Sequence, residues 1–160
     1  MVLSMLKAIK RPLQAFFFFL AVLGSANAEL LTDSQLSFGK IAVTDNSTVS
    51  SVQMSRSGRS SSTNNIYVLE LGTPGAYTFT ELPPYTMINL TADVPAYSSS
   101  TIPGTQQFIL RSVDIPSSIK AGPAGMAQFT MGGVLETSGV GGTYISPASY
   151  TVVLAINISY

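Results

Sequence analysis

Tyr150-Thr151-Val152-Val153-Leu154-Ala155-Ile156-Asn157-Ile158-Ser159-Tyr160 is the stretch on which the fold turns. In an extended chain, Tyr150, Val152, Leu154, Ile156, Ile158 and Tyr160 line one face. Thr151, Val153, Ala155, Asn157 and Ser159 line the other, because successive side chains of a strand point to opposite sides. A slip of one residue would carry the whole apolar set into water, so the register of a strand over 150–160 is strongly specified.

The same period of two recurs upstream, interrupted at short intervals by Gly, Pro, Ser, Thr and Asn, as in sandwiches and barrels. It predicts strands over 36–43, 49–55, 66–71, 76–82, 86–93, 107–113 and 127–135 in addition to 150–160. No stretch carries helical periodicity, and no internal repeat argues for a solenoid or propeller. Residues 57–65 read as a polar surface loop, 72–75 as a tight turn, and Pro83-Pro84 and 95–104 as segments that break pairing. Gly132-Gly133 inside a strand predicts a bulge or sharp bend, and Gly139 to Gly142 a flexible turn into the last strand. The expected class is all-β, a β-sandwich of about seven to nine antiparallel strands.

At the other end, Lys7, Lys10 and Arg11 precede an apolar run from Ala15 to Leu23, followed by Gly24-Ser25 and Ala26-Asn27-Ala28. Basic, apolar and small-residue regions in that order are expected to act as a cleavable secretory signal peptide over 1–28. The apolar run falls short of the roughly 20 residues that span a hydrocarbon core, so no membrane anchor is expected after cleavage. Residues 29–160 are then one domain, exported through the inner membrane to the periplasm, cell surface or extracellular space.

Beyond Ala28 stand five basic and eight acidic residues, a net charge of −3. Lys40, Arg56, Arg59, Arg111 and Lys120 are too few and too dispersed for the clustered phosphate contacts of nucleic-acid binding. The chain contains no cysteine, which closes the disulfide and lipoprotein routes and leaves stability to burial and strand pairing. An exported domain of this size without bridges points to a bacterial envelope.

The residue inventory also bears on catalysis. With no histidine and no cysteine, the usual nucleophile and base pairs and ordinary zinc sites are unavailable. Two S-x-x-K strings occur, Ser37 to Lys40 and Ser117 to Lys120, but a Ser-Lys dyad needs the lysine one helical turn from the serine, and neither lies in a helix. Glu70, Glu81, Asp93, Asp114 and Glu136 fall near predicted strand ends, where charges meet water, and nothing in their spacing pairs them for acid–base work. Asp45-Asn46-Ser47-Thr48 lacks the repeated carboxylates of a calcium loop and reads as a turn with local side-chain hydrogen bonds. No phosphate-loop pattern accompanies the glycines. The expectation is a non-enzymatic protein without catalytic residues, cofactor or metal.

Leu36-Ser37-Phe38-Gly39-Lys40-Ile41, then Phe129-Thr130-Met131-Gly132-Gly133-Val134-Leu135, then Gly142-Thr143-Tyr144 and the closing Tyr150 to Tyr160 stand in order along the chain. Together they resemble the bacterial family of domains of unknown function numbered 4402, with its L-x-F-G-x-I, F-x-V-G-G-x-L, Gly-x-Tyr turn and final strand ending in Tyr. The resemblance implies an exported immunoglobulin-like sandwich, similar in outline to pilin and spore-coat-type subunits. It further implies a structural or adhesive surface role, including a fimbrial, pilus-associated one, with other envelope or pilus subunits as partners at sheet edges. It brings no catalytic residues, and the motif positions Leu36, Phe38, Gly39, Ile41, Phe129, Gly132, Gly133, Leu135, Gly142, Tyr144, Tyr150 and Tyr160 are structural. Two departures are Met131 where the family has Val, and the short lead of Glu29 to Gln35 before the first motif, which argues against an N-terminal strand donated to a neighbouring subunit. Two other readings compete. A terminal aromatic on an alternating strand also suits an outer-membrane barrel, and exposed Tyr77, Tyr85 or Tyr97 would suit a carbohydrate-binding module.

Overall fold

The computed structural model describes residues 28–160, so the expected leader lies outside the described residues except for Ala28. The described residues form thirteen strands and no helix. These are β1 (Glu29–Ser34), β2 (Lys40–Val43), β3 (Ser51–Met54), β4 (Ser60–Ser62), β5 (Ile66–Glu70), β6 (Gly75–Thr80), β7 (Met87–Ala92), β8 (Ala96–Ser100), β9 (Ile109–Asp114), β10 (Ser118–Lys120), β11 (Ala127–Glu136), β12 (Tyr150–Val152) and β13 (Ile156–Ser159). Every ladder is antiparallel.

One eight-stranded sheet runs β1-β6-β11-β9-β8-β12, with β3 joined to β11 and β4 to β3; a second sheet is β10-β7-β13, and a third is β2-β5. The longest strand, β11, changes neighbours along its length. Ala127 to Met131 pair with β6, whereas Gly133 to Glu136 pair with β3 and Gly132 to Glu136 with β9.

Two apolar clusters lie along this strand. The first gathers Phe79, Leu82, Ile88, Leu90, Ala121, Ala127 and Phe129, with Ile119, Ile156 and Ile158 packed against it, and so joins the β6–β11 half of the large sheet to β10-β7-β13. The second gathers Val52, Ile66, Phe108, Leu110 and Leu135, with Phe38, Ile41, Val43 and Val68, and so joins the other half to β2-β5. Sheets meeting across apolar clusters make an all-β, sandwich-like architecture. Burying each such large side chain contributes on the order of 1.5–3 kcal/mol.

Beyond β11, the alternation over 150–160 is the other element that spans both clusters. Tyr150, Val152 and Leu154 pack into the second cluster and Ile156 and Ile158 into the first. Every even-numbered residue from 150 to 158 is at least half-shielded while Val153 is 86% exposed, so the inward face persists although the chain leaves β8 and joins β7. The single strand expected there is therefore two, divided where the partner sheet changes.

Other boundaries moved for local reasons. Over 36–43 only Lys40–Val43 is strand; Ser37 makes an isolated bridge to Thr73. Between them Gly39 is at φ +79°, and a Cβ there would lie 2.0 Å from the Glu70 carbonyl oxygen. The polar loop at 57–65 contains β4, held by Val52, Gln53 and Met54. Within 95–104, Ala96–Ser100 is a paired strand with Ser98 buried: its hydroxyl donates to Gln107 Oε1 at 2.9 Å and accepts the Phe108 N–H at 2.8 Å. Residues 29–35, left outside the expected strands, contain β1, the terminal strand of the large sheet. At the Gly132-Gly133 pair the strand changes partners, and the ladder irregularity lies just beyond, between Val134 and Leu135.

Gly132 marks the tightest approach in the sheet, since a Cβ there would lie 2.2 Å from the Met54 carbonyl oxygen and 2.8 Å from the Arg56 nitrogen. Backbone atoms cannot yield as a flexible side chain can, so Gly132→Ala is expected to lower stability by about 3 kcal/mol or more. Gly122→Ala, whose Cβ would meet its nearest neighbour at 3.6 Å, should stay within about 1 kcal/mol of the parent. Urea unfolding of the two variants checks this, and equal effects would contradict it.

Candidate functional site

The motif glycines and aromatics come together as packing and turn elements. Phe108 stacks on Tyr144 with ring centroids 4.3 Å apart and meets Tyr150 edge-on at 4.9 Å. The Tyr144 hydroxyl accepts the Ser138 N–H at 3.0 Å and donates to the Gln107 carbonyl at 3.1 Å. Burial raises its pKa above the ordinary phenol value, against the lowering effect of the Ser138 hydrogen bond. Tyr150 shares a hydrogen bond of 2.6 Å with Thr105, whose hydroxyl accepts the Ile145 N–H at 3.0 Å. Gly142 leaves room for the Gln106 side chain, which a Cβ would meet at 2.1 Å. Phe38 and Ile41 pack against the second cluster, to which Leu135 belongs, Leu36 Cδ2 lies 3.6 Å from where a Gly133 Cβ would stand, and Phe129 stacks between Tyr77 and Phe79 in the first cluster. Tyr160 is 56% exposed at the end of the chain.

The residue that sequence reasoning passed over is Asn46. Only 6% exposed, it donates from Nδ2 to Ser138 Oγ and to the Gly142 carbonyl, both at 2.9 Å, and accepts the Gly139 N–H at 2.9 Å. Its own carbonyl accepts the Gly141 N–H at 2.8 Å. One amide thus clamps the 138–142 turn from a distant segment, and its only sequence signal was membership of a polar turn. Asn46→Ala should cost about 2 to 4 kcal/mol, because the partners lose their bonds inside the fold. An unchanged unfolding midpoint would contradict that role.

Next to it, the Asp45 carboxylate accepts hydrogen bonds from the Ser47 hydroxyl and, at 3.2 Å, from the Ser47 N–H. These bonds, the hydroxyl first, lower its pKa below the ordinary aspartate value. A carboxyl depressed in the folded state contributes stability above its unfolded pKa of about 3.9 that is lost as pH falls through the folded value. NMR titration should place the Asp45 carboxyl below the ordinary value; a midpoint at or above it would contradict this geometry.

Four of the remaining charged candidates are engaged separately. Glu70 pairs with Lys40, Asp114 with Arg56 at 2.9 Å, Glu136 with Arg111 at 3.8 Å, and Asp93 accepts from Asn157 at 3.0 Å. Ser37 Oγ accepts the Gly39 N–H at 3.1 Å rather than facing an amine, and Lys120 lies 6.0 Å from the Tyr85 ring centroid. Among the described residues no group of three or more acidic side chains gathers at one point.

Two shallow hollows lie along β11 at Thr130. One of about 370 Å³ is bordered by Ser55, Arg56, Ser57, Asp114 and Thr130, and one of about 450 Å³ by Asp33, Tyr77, Gln128, Phe129 and Thr130. Across the second, Asp33 accepts from the Thr78 hydroxyl at 2.6 Å, and Gln128 donates to that hydroxyl at 3.2 Å. The Thr78 hydroxyl is itself buried beneath this row, with Asp33 and Gln128 as its hydrogen-bond partners. Of the three tyrosines considered as sugar platforms, Tyr77 is stacked on Phe129 at 5.3 Å, while Tyr85 and Tyr97 are 61% and 67% exposed.

Comparison with protein-family models, with curated proteins and with solved structures gives no match.

Proposed function

We propose that this chain is an exported, non-enzymatic structural or adhesive protein of a bacterial cell envelope or surface, of the kind that serves beside or within a pilus. The observation that carries the reading is β1. All six of its residues are exposed, its one ladder partner among the described residues is β6, and it begins directly after Ala28. A terminal edge strand at the expected cleavage point keeps unpaired backbone groups available for contact between proteins. The resemblance noted for the glycine and aromatic motifs supports the same reading, as does the dispersal of the charged groups into separate pairs.

A sandwich is favoured over a membrane barrel by the order of the large sheet, which among the described residues ends at β1 and β12, and by the apolar side chains packed against it. Leader, soluble domain and edge contacts then form one scheme: export, removal of the leader, and function through surface and edges.

Expression of the full chain in a bacterial host, followed by fractionation and mass analysis, tests this. The expected outcome is a protein beginning at Glu29 in the periplasmic or surface fraction without detergent. A chain still beginning at Met1 in the cytoplasm would overturn the reading.

A further inference from the structure

The exposed apolar side chains are unevenly placed. Tyr67, Leu69 and Leu71, within five residues of β5 and its end, are 53%, 61% and 76% exposed, while Ile66 before them and Val68 between the first two turn into the second cluster. Large apolar groups concentrated on one short segment mark a contact surface more often than the same groups scattered singly.

The strand beneath them is also an edge. Among the described residues β2 is the one ladder partner of β5, and outside that ladder the Ile66 N–H donates to the Thr63 carbonyl of the preceding turn at 3.4 Å. Most of the other edges carry a feature that opposes regular pairing with a copy of themselves; on β13, which among the described residues pairs with β7 alone, the outward side chains are the polar Asn157 and Ser159. β1 carries Glu29 and Asp33 and a register shift between Thr32 and Ser34. β4, β10 and β12 are three residues long, and β2 and β10 each carry a lysine. β5 has neither lysine nor proline, and its one charge, Glu70, is neutralised by Lys40. Ile66 to Val68 pair regularly with β2, and the one irregularity, opposite the Lys40–Ile41 step, falls at Leu69.

We infer that β5 is a self-association edge, pairing antiparallel with β5 of a second copy of this chain. A two-fold axis at Tyr67 sets the two Tyr67 rings opposite each other on the outer face and Ile66 opposite Val68 on the inner face. Leu69 then comes within diagonal reach of the partner's Tyr67, and Glu70 faces the amide of the partner's Asn64. Aromatic and β-branched cross-strand pairs of this kind are the stabilising ones, and no like charges face each other. The same patch serves both copies, as a two-fold interface requires. Two sheets of two strands become one sheet of four, and the row of Tyr67 and Leu69 becomes continuous.

The contact is small, which places it in roughly the micromolar to millimolar class. It goes beyond the proposed function, which leaves open which edge is used, and its failure would leave an exported monomer that acts by other surfaces.

Sedimentation of the exported protein, recovered after expression of the full chain, from low micromolar to about 0.5 mM covers that range. The expected result is a reversible dimer, weakened by about tenfold or more in Tyr67→Lys and in Leu69→Lys, since lysine on an edge opposes pairing. Both side chains are mainly exposed, so circular dichroism of the variants should match the parent. Amide protection at 66–70 in the unaltered protein should rise with concentration, which tests the edge even if a variant misfolds. A monomer throughout, a dimer indifferent to both lysines, or protection at 66–70 independent of concentration would overturn the inference.

Discussion

The structure depends on β11 holding both apolar clusters at once. Ala127, Phe129 and Leu135 point inward along a single strand, yet the first two bury against β6, β7 and β10 and the last against β3, β9 and the β2-β5 pair. Neither cluster is large, and each is closed on one side by a sheet of only two or three strands. A ladder of that size is marginal by itself in water. Sharing a strand lets each cluster lean on the other's backbone.

Gly132 and Gly133 make that sharing possible. They lie buried where β11 exchanges β6 for β3, at a point where the Met54 carbonyl comes too close for any side chain. The C-terminal segment repeats the arrangement from another sheet. Its uninterrupted inward face links Tyr150 and Leu154 in one cluster to Ile156 and Ile158 in the other. Asn46 and Tyr144 then fix the turn that precedes it, by hydrogen bonds to 138–142 and to Gln107.

What could be read from the sequence was whatever burial writes into alternation. The strands at 51–54, 66–70, 75–80, 87–92, 109–114 and 127–136 were legible because one face of each meets a cluster. β1, exposed on both faces, left no such pattern, and β4 and β10 are too short to show a period. β8 was hidden for another reason: its inward residue is Ser98, satisfied by Gln107 and the Phe108 N–H, so a polar side chain sits where periodicity looks for an apolar one. The break between Val152 and Ile156 could not be read either, because alternation is blind to which sheet a strand joins. The motif residues were legible as a pattern of glycines and aromatics. The Asn46 clamp was not, since its partners lie about ninety residues away and nothing local distinguishes it from a turn asparagine. The exposed edges, to which the functional reading is tied, emerge only once every strand has been given its neighbours.

The claim that β11 and the last segment weld two clusters into one cooperative unit is tested most directly by native-state hydrogen exchange across a series of low denaturant concentrations. The account predicts that slow amides of β6 and β7 beside the first cluster and of β3 and β9 beside the second converge on one opening free energy. Two separate limiting values, with one cluster opening while the other stays protected, would contradict it.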